Sequence, residues 1–128
     1  MSNKYLNGKM YQINSDSTDA VYIGSTCDKL NRRMSEHRAN YKQYLKGKYN
    51  YITAFDILKY GDAEICLIEN FPCEDKQQLL QREGFHVRRF KGHSNCVNKY
   101  IPGRTKKQYR EDKKKTIELT IKVVIQLN

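Results

Sequence analysis

Apolar and polar positions alternate through residues 9–14, KMYQIN, with Met10 and Gln12 set against Tyr11 and Ile13, the two-residue period of a short strand. The polar run NSDSTD follows, made of turn formers, and AVYIGS then resumes with the β-branched and aromatic residues Val21, Tyr22 and Ile23. Two such runs about a polar loop predict a hairpin. Gly24 is expected to end the second strand, and Ser25 to Asn31 to form a loop in which Asp28 or Asn31 caps the next helix.

Over residues 29–46 the period changes. Met34, His37, Arg38, Tyr41, Tyr44 and Leu45 recur at spacings of three and four and so share one helical face. YNYITAFDILKYG predicts a short helix with a glycine stop at Gly61. AEICLIENF sets Ile65 and Leu67 against Cys66 and Ile68, a third strand, which Pro72 closes. CEDKQQLLQREGFHVRRFK begins acidic and ends basic, the polarity that suits a helix dipole. Leu79, Leu80, Phe85, Val87 and Phe90 supply its packing, and Gly84 is its weak point. Residues 94–103 read as irregular. The last stretch, TIELTIKVVIQLN, places Ile117, Leu119, Ile121, Val123, Ile125 and Leu127 at strict two-residue spacing, which favours a strand. Ile117, Ile121, Val124 and Ile125 also fit a helical face, so both readings stand.

Length and charge sharpen this outline. The 128 residues suit one domain with a modest core, expected over 1–103 and followed by a basic C-terminal extension over 104–128. No run approaches the roughly 18 apolar residues of a membrane span, and MSNKYLNGKM lacks an apolar signal core, so an intracellular protein without membrane attachment is expected. Lys and Arg number 24 against 14 Asp and Glu, a formal net charge of +10. A basic excess of this size attracts polyanions, nucleic acid first and anionic membrane second. The segment RTKKQYREDKKK alone holds seven basic and two acidic residues, net +5, half of the whole excess. Cys27, Cys66, Cys73 and Cys96 form no CxxC pair and read as free thiols.

For a polyanion partner the chemistry to look for is phosphodiester hydrolysis. It needs a base for water, a cation for developing charge and a held leaving group. Tyr11 and Tyr22 lie on neighbouring strands across a turn, where their hydroxyls can be brought to one face. Arg33 and His37 are four apart on the next helix and share a face. Glu83, on a later helix, is the candidate carboxylate of the kind that holds Mg²⁺ beside phosphate. Taken singly, these residues are ordinary strand aromatics, solvated helix cations and an exposed acid. Glu83, His86, His93 and Cys96 also have zinc-ligand chemistry, without zinc-finger spacing.

Taken together and in order, they resemble the GIY-YIG nuclease family from residue 9 to 100. Tyr22-Ile23-Gly24 is intact, whereas Lys9-Met10-Tyr11 stands where Gly-Ile-Tyr is usual and keeps only the tyrosine. RRMSEH resembles the family's Arg-then-His helix, with Arg33 and His37 as the pair and Arg32 as the alternative arginine. LQREGFHVRRF resembles the helix bearing the metal-binding glutamate, which falls on Glu83. CVNK resembles the later asparagine motif and places it at Asn98, with Asn95 the second choice.

The resemblance implies an α+β domain, a three-stranded antiparallel sheet flanked by helices. It also implies an endonuclease that hydrolyses DNA with one divalent metal, Mg²⁺ or Mn²⁺, held by Glu83. Tyr11 would be the first choice as base on water, with Tyr22 orienting water or a phosphate oxygen. Arg33 would neutralise charge on the phosphate, His37 would bond a tyrosine or assist proton transfer, and Asn98 would brace the backbone or assist the metal. Tyrosine titrates near 10, so this base needs help, and a nearby arginine, histidine and metal all favour phenolate. A nuclease-like domain that binds nucleic acid without cutting is the alternative, prompted by Lys-Met-Tyr. Arg32, Arg104, Lys106, Lys107 and Arg110 are the expected phosphate contacts; otherwise the tail is a solvated helix that keeps the protein soluble. Two cuts by a one-site chain would take a homodimer or sequential nicking, and a viral or mobile-element setting follows from the family.

Overall fold

The computed structural model describes residues 3–103 and 105–127. After a 3-10 turn at Lys4–Asn7 come strands β1 (Lys9–Ser15) and β2 (Thr18–Thr26), an antiparallel hairpin joined by Asp16 and Ser17. The polar cluster around this turn is shorter as a loop than predicted because its flanks pair. Ser15 Oγ donates to Asp62, and Ser17 Oγ donates to the other Asp62 carboxylate oxygen at 2.8 Å, which pins the turn from across the molecule.

Strand β2 does not end at Gly24. It runs through to Thr26, with Gly24 directly opposite Tyr11. A side chain there would overlap the Tyr11 phenol, so the glycine clears space for a fully buried tyrosine rather than breaking the strand.

Helix α1 (Leu30–Leu45) starts after Lys29 with no side-chain cap. Neither Asp28 nor Asn31 caps it: the Asp28 N–H donates to Thr26 Oγ1 at 3.0 Å, and Asn31 Oδ1 accepts from the adjacent Arg32 N–H at 2.9 Å. The short helix α2 (Phe55–Leu58) follows, then β3 (Glu64–Asn70), antiparallel to β1. Strand β1 is therefore central and buried on both faces. Tyr11 and Ile13 join the core under α1 and α2, with Met34, Phe55 and Ile57, whereas Met10 points the other way, into a cluster with Cys73 and Leu79. This is the strand alternation expected of a sheet covered on two sides.

Helix α3 (Lys76–His93) begins at Asp75, whose carboxylate accepts from the Gln78 N–H at 2.9 Å. Its Gly84 is a seat for another segment: a β-carbon there would strike the Pro102 carbonyl oxygen and lie 3.2 Å from Ile101 Cγ2. The expected irregular stretch after α3 contains strand β4 (Asn95–Cys96), parallel to Ala20 and Val21 of β2. The sheet is thus mixed and four-stranded, in the order β3-β1-β2-β4, rather than three-stranded and antiparallel. Two residues are too few to print a period in the sequence, which is why β4 was not anticipated.

The C-terminal segment is helix α4 (Lys106–Leu127), not a strand. Thr105 Oγ1 accepts from the Gln108 N–H at 3.1 Å while Gln108 Oε1 accepts from the Thr105 N–H at 2.9 Å, a reciprocal capping box. A helix nucleated this way through a Lys-rich stretch propagates cheaply into the alternating run beyond it. Arg88 Nη2 donates to Asp112 Oδ2 at 3.0 Å, joining α3 to α4. Among the described residues no helix is long and apolar enough to cross a membrane, and all four cysteines are free thiols.

Candidate active site

The central strand aims the Tyr11 phenol at α1, where two side chains one turn apart meet it. Its oxygen lies 2.8 Å from His37 Nε2 and accepts from Arg33 Nε–H at 3.1 Å. Arg33 is steadied from its other end, Nη1 donating to Glu36 Oε2 at 2.9 Å. His37 is buried, and that burial, with the Arg33 charge adding to it, pulls its imidazole down to about 4. In a neutral ring one nitrogen accepts, and in the tautomer that leaves Nε2 unprotonated the Tyr11 O–H, itself accepting from Arg33, donates to it. The Tyr22 ring meets the same imidazole edge-on, with centroids 5.8 Å apart, and the Tyr11 ring does so at 5.9 Å.

Burial, more than any neighbour, pushes both phenols above the ordinary tyrosine range, against the opposing pull of Arg33. This corrects the expectation that the histidine favours phenolate. His37 is uncharged, so Arg33 alone among these side chains does so, and both tyrosines are phenols at neutral pH.

Glu83 approaches from α3. Its Oε1 accepts from Ser25 Oγ at 2.7 Å, the residue directly after Tyr22-Ile23-Gly24. Burial raises the Glu83 carboxyl above the usual range, with the Ser25 bonds and the Arg33 charge pulling it back. Among the described residues no three His, Cys, Asp or Glu side chains gather as a metal cage. One carboxylate with a hydroxyl beside an open cleft suits Mg²⁺, which binds through one or two carboxylates and completes its shell with water and phosphate oxygens. It does not suit zinc, which wants a closed set of nitrogen and sulfur ligands. His86 Nε2 bonds Glu69 Oε1 at 2.9 Å instead, and Cys96 Sγ faces Asn98 Oδ1 at 3.2 Å; the His93 side chain lies outside the described residues.

Asn98 is buried against β2. Its Oδ1 accepts from the Ile23 N–H at 2.9 Å and its Nδ2 donates to the Ile23 carbonyl at 2.8 Å. Of its two expected roles, this geometry gives it the backbone brace. Asn95 is spent on a bond to exposed Asp19.

Glu83 lines two adjoining clefts. One, of about 320 Å³, is walled by Tyr22, Tyr51, Asn98, Lys99 and Tyr100. The other, of about 480 Å³, is walled by Lys4, Ser25, Arg33 and Lys76. Arg32 does not reach the Tyr11 phenol; its side chain is mostly exposed, 3.9 Å from Asp28, along a further groove with Lys9 and Lys29. Lys106, Lys107 and Arg110 are exposed in the first turns of α4, and Arg104 lies outside the described residues. Sequence reasoning missed Ser25, whose one signal is its place after the Tyr-Ile-Gly triplet, and the cleft-lining Lys4, Lys76, Tyr51, Lys99 and Tyr100, which carry no motif.

The fold and this convergence of phenols, arginine, histidine and carboxylate are those of an endonuclease. Residues 7–95 match the GIY-YIG catalytic domain, and the chain belongs to the GIY-YIG family. Two solved structures share its fold. A glutamate-to-alanine mutant of the catalytic domain of the intron endonuclease I-TevI is 23% identical, over 73% of this chain and 94% of that one, with a TM-score of 0.55. The catalytic domain of the homing endonuclease I-TevI is also 23% identical, over 73% and 98%, with a TM-score of 0.53. None of the curated proteins compared with the chain matches it.

Proposed function

We propose that this endonuclease hydrolyses DNA phosphodiester bonds with Tyr11 as the base for water and with Glu83 holding Mg²⁺ or Mn²⁺. The observation that carries this reading is the hydrogen-bonded chain from Arg33 Nε–H through the Tyr11 hydroxyl to His37 Nε2, whose Arg33 end lines the same cleft as Glu83. A phenol held above its ordinary range is a poor base if it must ionise first. The relay removes that requirement: once substrate binding uncovers Tyr11, which is fully buried in this structure, it takes a proton from water as its own proton passes to neutral His37, and no free phenolate is formed. Arg33, lining the same cleft as Glu83, balances the charge that builds on the phosphate. Tyr22 lines the cleft on the other side of Glu83 and orients a phosphate oxygen or the water. Once bound, the metal supplies positive charge for the leaving oxygen. Asn98 keeps the β2 backbone next to Tyr22 in place.

The basic excess brings DNA to this site through contacts that do not depend on sequence. The Gly-Ile replacement that prompted the non-cleaving alternative sits away from the relay. Met10 is packed beneath α3 on the opposite face of β1 from Tyr11, and Lys9 lies in the outer groove with Arg32. That placement favours the cutting enzyme.

Conversion of supercoiled plasmid, with Mg²⁺, with EDTA and with Glu83→Gln, tests the proposal. Metal-dependent nicking or linearisation that Glu83→Gln abolishes is the expected result. Plasmid that stays intact with every metal, yet shifts on a gel, would establish the binding module instead.

A further inference from the structure

The two clefts that meet at Glu83 differ in chemistry. One side presents Lys4, Arg33 and Lys76, which suit backbone phosphates. The other presents tyrosine rings. Tyr100 leaves 80% of its surface exposed and Tyr51 43%, and both line the cleft of about 320 Å³ together with Glu83. Large aromatic surface left to water beside a reactive group marks a place where something binds.

Tyr51 is held firmly. Its hydroxyl donates to the Asp56 carboxylate, the Tyr44 and Phe55 rings pack about it with centroids 5.8 and 6.2 Å away, and Lys99 Nζ sits 5.4 Å from its own centroid. A fixed ring, a second exposed ring and a lysine along one wall are the equipment of surfaces that grip single-stranded nucleic acid. There, bases stack on aromatics while cations follow the backbone. Paired DNA keeps its base faces inside the stack and offers such rings nothing to cover.

We infer that the Tyr51–Tyr100 side of the cleft is a nucleobase subsite. It takes one unstacked base flanking the phosphate to be cut, so the preferred substrate is DNA with unpaired nucleotides at the cleavage point. The inference rests on the nuclease reading above. The base slides between or over the rings while Lys99 meets its phosphate, and the paired part of the substrate runs along Lys4, Arg33 and Lys76.

The test uses two labelled duplexes of one sequence, fully paired or carrying a short central bubble. Binding is followed by fluorescence anisotropy in EDTA and cutting in Mg²⁺, for the wild type, Tyr100→Ala and Tyr100→Phe. The bubble is expected to bind about tenfold more tightly than the duplex and to be cut in preference. Tyr100→Ala should erase most of that preference, and Tyr100→Phe, which keeps the ring, should retain it. Equal affinity and equal cutting of the two duplexes by the wild type would overturn the subsite. So would a Tyr100→Ala loss that is the same for both. Failure of the nuclease reading looks different: neither duplex is cut in Mg²⁺, while anisotropy in EDTA still reports whether the subsite discriminates.

Discussion

Two glutamates at helix α3 are pushed in opposite directions by their surroundings. Glu69, on β3, is saturated: both of its oxygens take the Arg82 guanidinium, with Arg82 Nη2 to Oε2 at 3.0 Å, and Oε1 also meets His86 Nε2 at 2.9 Å. The Arg82 bonds, opposed by some burial and helped by His86, hold its carboxyl down at about 2. Glu83, the residue after Arg82, has the Ser25 hydroxyl as its side-chain donor, and burial holds its carboxyl up. A carboxylate whose lone pairs are filled ties β3 to α3 and can do little else. One with lone pairs to spare, kept partly from water, costs stability and is available to a cation. Two carboxylates of one type therefore do different work because of what surrounds them.

The comparison breaks most visibly at Arg33, the cation shared by the Tyr11 phenol and the Glu83 cleft. Arg33→Ala should lower plasmid cleavage about 10²–10³-fold, the usual loss when a preorganised charge is removed from a reaction centre. A variant that cuts at the wild-type rate would show that this cluster is as structural as the one around Glu69.

Next in size is a pair of melting curves recorded in EDTA at neutral pH. Glu69→Gln should lower the Tm by a few degrees, about 1 kcal/mol for a partly exposed ionic cluster, and should leave DNA cleavage in Mg²⁺ intact. Glu83→Gln should raise the Tm, because it removes a charge that burial disfavours while keeping an oxygen for Ser25. Two shifts of the same sign would mean that the two carboxylates do the same work.

Acid sharpens it further. Glu69 sits below its ordinary value of 4.5 in the folded protein, so its stabilisation is complete above that pH and is lost as the pH falls towards 2. Glu83 has the opposite sign and becomes unfavourable as the pH rises past 4.5. Urea unfolding of the wild type between pH 5 and 2 should therefore show a loss of stability that Glu69→Gln flattens. The smallest signal is that of His37, whose imidazole resonances should titrate near pH 4. A midpoint at the ordinary 6.5 would mean that burial and the Arg33 charge do not hold the imidazole down.

Motif order made most of this centre legible in advance. Tyr22, Arg33 and Glu83 line one pair of clefts, with Tyr11 and His37 buried and bonded in behind Arg33, because two strands and two helices of ordinary periodicity carry them. What escaped depended on partners distant in the chain. Gly24 read as a stop, since its cross-strand neighbour Tyr11 is invisible in a local window. Gly84 read as a weakness for the same reason, with Pro102 its unseen occupant. Strand β4 is too short to leave a pattern, and Ser25 is one hydroxyl among many. At the C-terminus the alternation of apolar residues was genuine, yet the Thr105–Gln108 cap upstream had already set the helix running. Local start signals outweighed local period.

Asn98 carries one consequence beyond holding Tyr22 in register. Strand β4 ends at Cys96, the Val97 N–H donates to the Val21 carbonyl at 2.9 Å, and the Asn98 amide then pairs with both polar groups of Ile23. A side chain thus imitates the next peptide unit of a strand that has already turned away. The outer rim of β2, which would otherwise offer bare backbone to any passing strand, is blunted for the length of one residue by a carboxamide that cannot be extended. Such rims are where sheets of neighbouring molecules zip together. This single amide thereby covers one residue of an edge at which another strand could otherwise add.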